Sequence, residues 1–137
     1  MKKIFMLIAV MMFAVSIYAQ KQTQTGAELK WEEPNHDFGE VVQGDKVEFT
    51  YKFTNTGNEP LIITNVQPTC GCTLPKSWPR NEIMPGQTGE LVIAFNSAGK
   101  PFGKLSRTTT VVSNATNDGA KQIVFTAVIT EKKQPNQ

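Results

Sequence analysis

The strict alternation of apolar and polar residues in one central segment constrains the fold more than any other feature. In residues 47–54 the apolar Val47, Phe49, Tyr51 and Phe53 alternate with polar residues. A period of two places the two sets on opposite faces of an extended strand. The segment is therefore predicted to be a β-strand that packs one face against a core.

Similar segments recur along the chain between turn residues such as Pro85 and Gly86. We predict strands in residues 61–66, 90–95, 104–113 and 122–130, with short edge strands near residues 29–31 and 37–42. None of the intervening stretches is long or periodic enough for a helix. About seven short strands in about 100 residues predict an all-β fold, an immunoglobulin-like β-sandwich of antiparallel strands.

The first 19 residues have the pattern of a secretory signal peptide. Lys2 and Lys3 precede an apolar stretch over residues 4–17, and Ala19 stands at a cleavage position. An apolar stretch of about 14 residues is shorter than the ~20 needed to span a bilayer. We therefore expect an exported protein, periplasmic or extracellular, with no stable membrane insertion after cleavage. The remainder divides into a flexible leader (20–27), the sandwich domain (28–131) and a disordered tail (132–137).

Charge and residue counts argue against several classes of function. Without Lys2 and Lys3 the chain has 12 basic and 12 acidic residues, so it lacks the excess positive charge typical of nucleic-acid binding. His36 is the only histidine, and no Gly-x-Ser-x-Gly motif occurs, so nothing supports a hydrolase triad. Carboxylates that lie close in sequence could supply an acid/base pair, and the candidates are Asp37, Glu40 and Asp45. Exposed loop carboxylates are, however, usually plain solvated charges. We predict a protein that is not an enzyme.

The unusual constellation is Cys70-Gly71-Cys72, for which three interpretations remain open. The first is a disulfide between Cys70 and Cys72. In an extended strand residues two apart lie about 6.5–7 Å apart, so a bridge requires a turn, which Gly71 permits. A disulfide that closes a loop of only three residues stabilises the fold by about 1.6 kcal/mol. Such a bridge is better suited to redox exchange than to structural support.

The second interpretation is a soft-metal site. The soft ligands after residue 19 are Cys70, Cys72, His36 and Met84. A four-ligand zinc site would require an uncommon set, whereas linear or trigonal Cu(I) requires fewer ligands. The third interpretation is passive packing or a passive bridge beside a turn, which we favour because a single Cys-x-Cys is a weak motif.

Several short motifs together resemble one bacterial family, catalogued as domain of unknown function 1573. The resemblance covers residues 36–128, and its most specific block is Cys-Gly-Cys-Thr followed by Pro-Gly. It implies an exported immunoglobulin-like domain, similar to sperm-protein and pilus-chaperone sandwiches, and no established activity. The matching motifs are Asp37-Phe38-Gly39, Phe53-x-Asn55-x-Gly57, Pro60-Leu61, Cys70-Gly71-Cys72-Thr73, Trp78-Pro79, Pro85-Gly86, Phe95-Asn96-Ser97 and Ser113-Asn114.

Trp78 and Arg80 lie in a predicted loop, residues 75–82, close to the cysteines. Trp78 is interpreted either as a lid over the open end of the sandwich or, with Arg80, as a contact for a partner. We therefore predict an exported, non-enzymatic binding or structural module without a cofactor, whose partner is a protein or a cell-envelope component. The alternative is a thiol-redox or copper-binding protein that uses Cys70 and Cys72.

Overall fold

The computed structural model describes residues 25–132, which form eight β-strands in two four-stranded sheets. Sheet 1 has the strand order β1-β3-β6-β5, and sheet 2 has the order β2-β8-β7-β4. The predicted all-β sandwich is thus confirmed, while the predicted signal peptide and most of the leader and tail lie outside the described residues. The strands are β1 (Leu29–Trp31), β2 (Asn35–Val42), β3 (Lys46–Asn55), β4 (Ile63–Pro68), β5 (Thr73–Ser77), β6 (Thr88–Asn96), β7 (Gly103–Ser113) and β8 (Ala120–Thr130).

The core lies between the sheets and is built by the alternation that the sequence shows. Strand β3 pairs antiparallel with β6, and their inward-facing side chains, among them Phe53, Leu91 and Phe95, are buried. The buried Tyr51 hydroxyl donates a hydrogen bond to the Val124 carbonyl oxygen of sheet 2 at 3.2 Å. Apolar burial across this interface is the main favourable contribution to folding. Between residues 25 and 132 no helix is long and apolar enough to cross a membrane.

Two details of the architecture differ from the sequence-based expectation. Residues 73–77 form strand β5, so the loop predicted from Pro75 begins only after Ser77. The β5 sequence, Thr-Leu-Pro-Lys-Ser, has no regular alternation of apolar and polar residues, and pairing with β6 supplies its conformation. In addition, β2 pairs with β8 in parallel, whereas all strands were expected to be antiparallel. Alternation reports which face is buried and carries no information on strand direction.

The domain begins earlier than the predicted boundary at residue 28. Gly26 and Ala27, which the sequence analysis places in the flexible leader, are buried. The Asn58 amide donates a hydrogen bond to the Gly26 carbonyl at 3.0 Å, and the Thr116 amide donates to the Ala27 carbonyl at 2.8 Å. Gly57 permits this approach, because a Cβ at that position would overlap the Gly26 backbone. The polar composition of the segment did not indicate that these two residues pack against the sandwich and form hydrogen bonds with it.

Candidate functional site

Cys70 and Cys72 lie where the chain crosses from sheet 2 to sheet 1, between β4 and β5. The crossing is fixed to both sheets by backbone hydrogen bonds. On the sheet 2 side the Thr69 amide donates to the Thr108 carbonyl at 3.0 Å. On the sheet 1 side the Asn96 amide donates to the Cys72 carbonyl at 2.9 Å. The cysteines therefore sit on a short connection that is held at both ends.

A tight turn brings the two cysteines together, and a disulfide joins them. The Thr73 amide donates to the Cys70 carbonyl at 3.3 Å, which closes the turn, and the Cα atoms of Cys70 and Cys72 lie 5.3 Å apart. Gly71 forms the exposed tip without a positive φ, and a Cβ there would meet no atom within 4 Å. The structure contains the disulfide, which agrees with the first interpretation and with the passive bridge of the third. The turn does not depend on the conformational freedom of Gly71.

The buried Thr73 side chain lies beneath the bridge. Its residue is 3% exposed, and its hydroxyl oxygen lies 3.6 Å from Cys70 Sγ and 3.9 Å from Cys72 Sγ. Both cysteines are only partly buried. The bridge is thus partly buried, and the hydroxyl group of Thr73 lies within hydrogen-bonding reach of both sulfur atoms.

A shallow groove opens beside the bridge on the outer face of sheet 1. Its volume is about 350 Å³, close to the lower end of the range for ligand sites. Leu74 of β5 is 62% exposed and lies directly opposite the small Ala94 of β6. Strands β3, β5 and β6 and the cysteine turn all contribute to the lining, which consists of Lys46, Glu48, Gly71, Cys72, Leu74, Lys76, Ala94, Phe95 and Asn96.

One of the two lysines of this groove forms an ion pair within the described part of the chain, and the other does not. Lys76 Nζ and Glu48 Oε1 form an ion pair at 2.6 Å across the outer face of the sheet. Lys46 forms no ion pair with any residue from 25 to 132 and is exposed. The groove therefore combines an apolar patch, part of Cys72, which also packs against the core, and one cationic group without an ionic partner in this part of the chain.

Cys72 and Gly71 stand out in the sequence, and Phe95 and Asn96 belong to the family motifs. The remaining groove residues were not expected at a site: Lys46, Glu48, Leu74, Lys76 and Ala94. Alternation in β3 does place Lys46 and Glu48 on the polar face, so their exposure was predictable. Their proximity to Leu74 depends on the pairing of β3 with β6 and of β6 with β5. Only an exposed leucine beside the cysteine block could have drawn attention to this surface.

Trp78 and Arg80 lie directly after β5 and outside the lining of the groove. The Arg80 guanidinium carbon is 3.7 Å from the centroid of the Trp78 ring, a cation–π contact. Trp78 is partly buried against the core, and its Nε1 has no hydrogen-bond partner among the described residues. Trp78 thus packs against the core directly after β5, while Arg80 remains exposed.

The remaining soft ligands are not brought to the cysteines. His36 lies on β2, which two strands separate from β4 in sheet 2, and its ring stacks on Phe49 at 3.5 Å. Met84 precedes β6 at the end opposite Asn96, the residue that bonds to Cys72. Among residues 25–132 no three His, Cys, Asp or Glu side chains are grouped as a metal site would require. The four-ligand set considered from the sequence is therefore not assembled.

The three carboxylates considered as an acid/base pair are exposed and separate. The Asp37 carboxylate accepts a hydrogen bond from the Gly39 amide at 2.9 Å, and this bond lowers the pKa of Asp37 below its usual value. Gly39 adopts a φ of 67° where the pairing of β2 with β8 shifts register. Asp37 thus stabilises a local irregularity of the strand, while Glu40 lies further along β2 and Asp45 precedes β3.

Comparison with known proteins yields a family and a fold. The family model described as "Protein of unknown function (DUF1573)" matches residues 29–129. A comparison with curated proteins found no match.

Solved structures share the fold at low sequence identity. A protein of unknown function from Porphyromonas gingivalis W83 is 20% identical with a TM-score of 0.64, and the match covers 80% of this chain and 50% of that one. The VesB protease of Vibrio cholerae is 13% identical with a TM-score of 0.57, over 83% and 34% of the two chains. The ASH/PapD-like domain 7 of human CEP192 is 10% identical with a TM-score of 0.60, over 84% and 94%. This chain spans half or less of the two bacterial proteins.

Proposed function

The chain belongs to the DUF1573 family of proteins of unknown function, and we propose that it is an exported, non-enzymatic module that binds a partner in the groove beside Cys70 and Cys72. The partner is a protein or a component of the cell envelope. Export is supported by the signal-peptide pattern of residues 1–19. The observation that carries the proposal is the exposure of Leu74 within a groove that also contains Lys46, which has no ionic partner among the described residues.

An exposed leucine beside a small residue is a favourable contact for a partner. Leu74 leaves most of its side chain in solvent, and Ala94 leaves room next to it. Burying a leucine side chain contributes about 1.5–3 kcal/mol. An apolar side chain of the partner would therefore gain free energy by packing between Leu74 and Ala94.

Lys46 gives the groove a preference in charge. Because Lys46 has no ionic partner within residues 25–132 while Lys76 is paired with Glu48, a carboxylate of the partner would bind at Lys46. We expect an extended acidic segment with one apolar side chain. Charge complementarity of this kind mainly raises the association rate and the specificity.

A binding role fits the carboxylates better than catalysis does. Asp37 is engaged by the Gly39 amide, its pKa is lowered, and it is exposed, so it is a poor general acid or base at neutral pH. Glu40 and Asp45 lie on separate elements. These features support a non-enzymatic module.

The proposal is tested by placing a photo-crosslinking amino acid at position 74 of the full chain in its native host. Position 102 is the matched control, because Phe102 is 58% exposed and lies just before β7, outside the groove. We expect a discrete crosslinked product from position 74 that the additional change Lys46→Glu abolishes. Equal products from both positions, or none from position 74, would contradict a binding site in the groove.

A further inference from the structure

We propose that the Cys70–Cys72 disulfide is a redox-active bridge that exchanges with a dithiol, and that the attacking thiolate enters through the groove and meets Cys72. Cys72 lines the groove, whereas Cys70 does not. The inference goes beyond the binding role and does not depend on it, since a small dithiol can test it without any partner.

Backbone hydrogen bonds hold the two cysteines together independently of the bridge. The turn is closed by the Thr73 amide and the Cys70 carbonyl, and it is attached to the two sheets through Thr69 and through Asn96. After reduction the two thiols therefore remain close together, and the disulfide can form again. A bridge in such a turn is suited to reversible exchange.

The bridge contributes little to the stability of the fold. A loop of three residues removes little conformational freedom from the unfolded chain, in contrast to a bridge between distant strands. The sheets on both sides are paired and packed without it. Its opening and closing can therefore occur within the folded domain.

The surroundings of the sulfur atoms favour attack on Cys72 and departure of Cys70. Lys46 raises the local concentration of anionic thiolates at the groove. The hydroxyl of the buried Thr73 lies nearer to Cys70 Sγ, at 3.6 Å, than to Cys72 Sγ, at 3.9 Å. It can donate a hydrogen bond to the thiolate that leaves, and this lowers the energy of the departing group.

The exchange balances as two substitutions at sulfur. One thiolate of the dithiol forms a bond to Cys72 Sγ, the Cys70–Cys72 bond breaks, and Cys70 leaves with the electron pair and takes up a proton. The second thiolate of the dithiol then attacks its own partner sulfur in the mixed disulfide and releases Cys72 as a thiolate. The dithiol loses two electrons and becomes a disulfide, and the cysteine pair gains them.

The first experiment measures the rate at which dithiothreitol reduces the native chain without denaturant, followed by the number of free thiols. We expect complete reduction, reversal by oxidised dithiothreitol, and an unchanged far-UV circular dichroism spectrum. Ala94→Phe fills the groove and should slow reduction at least tenfold, whereas Val128→Phe, exposed on β8 of the other sheet, should not. A bridge that is reduced only in denaturant, or equal rates in both variants, would overturn the proposal.

A second pair of variants keeps the test valid if Ala94→Phe does not fold. Lys46→Glu should slow reduction by glutathione about threefold at low salt, and the difference should vanish at high salt. Lys104→Glu, an exposed residue of β7, is the control and should leave the rate unchanged. Equal rates for these two variants would show that thiolates do not enter through the groove.

Single variants and an aromatic disulfide reagent test which of the two cysteines is attacked by the incoming thiolate. Cys70→Ser leaves Cys72 free, and Cys72→Ser leaves Cys70 free. We expect the remaining thiol to react faster in Cys70→Ser than in Cys72→Ser, because only Cys72 lines the groove. Thr73→Val should slow reduction of the intact bridge and leave the folded spectrum unchanged. The reverse order of reactivity would assign the attack to Cys70 and contradict the proposal.

Discussion

At the scale of single residues, a close contact between β6 and β3 shows how tightly the core is filled. A Cβ built on Gly89 would lie 2.5 Å from Phe53 Cζ and 2.9 Å from Ile83 Cδ1. Phe53 and Ile83 are both buried, so neither ring nor methyl group has free space to move into. Glycine at position 89 is therefore a packing requirement, which the sequence pattern of β6 does not reveal.

Gly89→Ala is expected to lower the free energy of unfolding by about 1–3 kcal/mol, because overpacking forces the neighbours to shift. Combining it with Phe53→Leu should recover part of the loss, since the smaller side chain leaves room for the added methyl group. Denaturant unfolding of the wild type, both single variants and the double variant checks this. Additive losses would mean that Phe53 is not the residue that resists the methyl group.

Asp37 provides a second prediction at this scale, which concerns pH. Because the Gly39 hydrogen bond lowers the folded-state pKa of Asp37, its ionised form stabilises the domain above its unfolded-state pKa of about 4. This contribution is lost as the pH falls through the lowered folded-state value. Asp37→Asn should slightly lower the melting temperature at pH 7 and have a smaller effect at pH 2. An equal difference at both pH values would contradict the assigned cause.

At the scale of elements, the edge strand β5 determines the shape of the candidate site. The Cys72 carbonyl accepts a hydrogen bond from the Asn96 amide, so the backbone groups of Cys72 face β6. The direction of the backbone groups alternates along a strand, so those of Pro75 face away from the sheet. Proline has no amide hydrogen, so Pro75 removes a donor from this open edge. Edge strands of soluble proteins commonly use proline to prevent pairing with another chain.

Pro75→Val is expected to promote association between copies of the chain, because it restores an outward-facing donor and raises β-propensity. Sedimentation velocity over a range of concentrations measures the association. Pro101→Val, in the exposed loop before β7, serves as the control and should associate no more than the wild type does. A Pro75→Val chain that associates no more than the control would show that this edge is protected by something other than Pro75.

The elements also show how far the sequence could predict the structure. The alternation in β3 and β6 identified the buried faces, and the structure confirms them. Strand β5 escaped prediction, because its conformation is imposed by pairing with β6 and its residues carry no periodic pattern. The groove could not be predicted either, because its residues become neighbours only through cross-strand pairing. Three of them that are distant in sequence are Lys46, Leu74 and Ala94. The cysteine pair was identifiable because only Gly71 separates its two members in the sequence.

At the scale of the whole molecule, the fold depends on burial between two sheets and on contacts between the first described residues and distant loops. Ala27 and Leu29 are buried, and Asn117 bonds to both the amide and the carbonyl of Leu29, at 2.9 and 3.0 Å. These contacts join the start of the domain to the loop between β7 and β8. The disulfide, in contrast, links residues that the turn already holds together.

The apolar core is expected to hold the fold without the Cys70–Cys72 bridge. The most direct test is the free energy of unfolding of the double variant Cys70→Ser with Cys72→Ser, measured by guanidinium denaturation beside the wild type and Phe95→Ala. We predict a folded double variant that has lost no more than about 1–2 kcal/mol, because its loop is so short. Phe95→Ala, which empties a fully buried site, should lose about 3–5 kcal/mol. A double-serine chain that is unfolded, or that loses more than Phe95→Ala, would contradict the claim and make the bridge a structural staple.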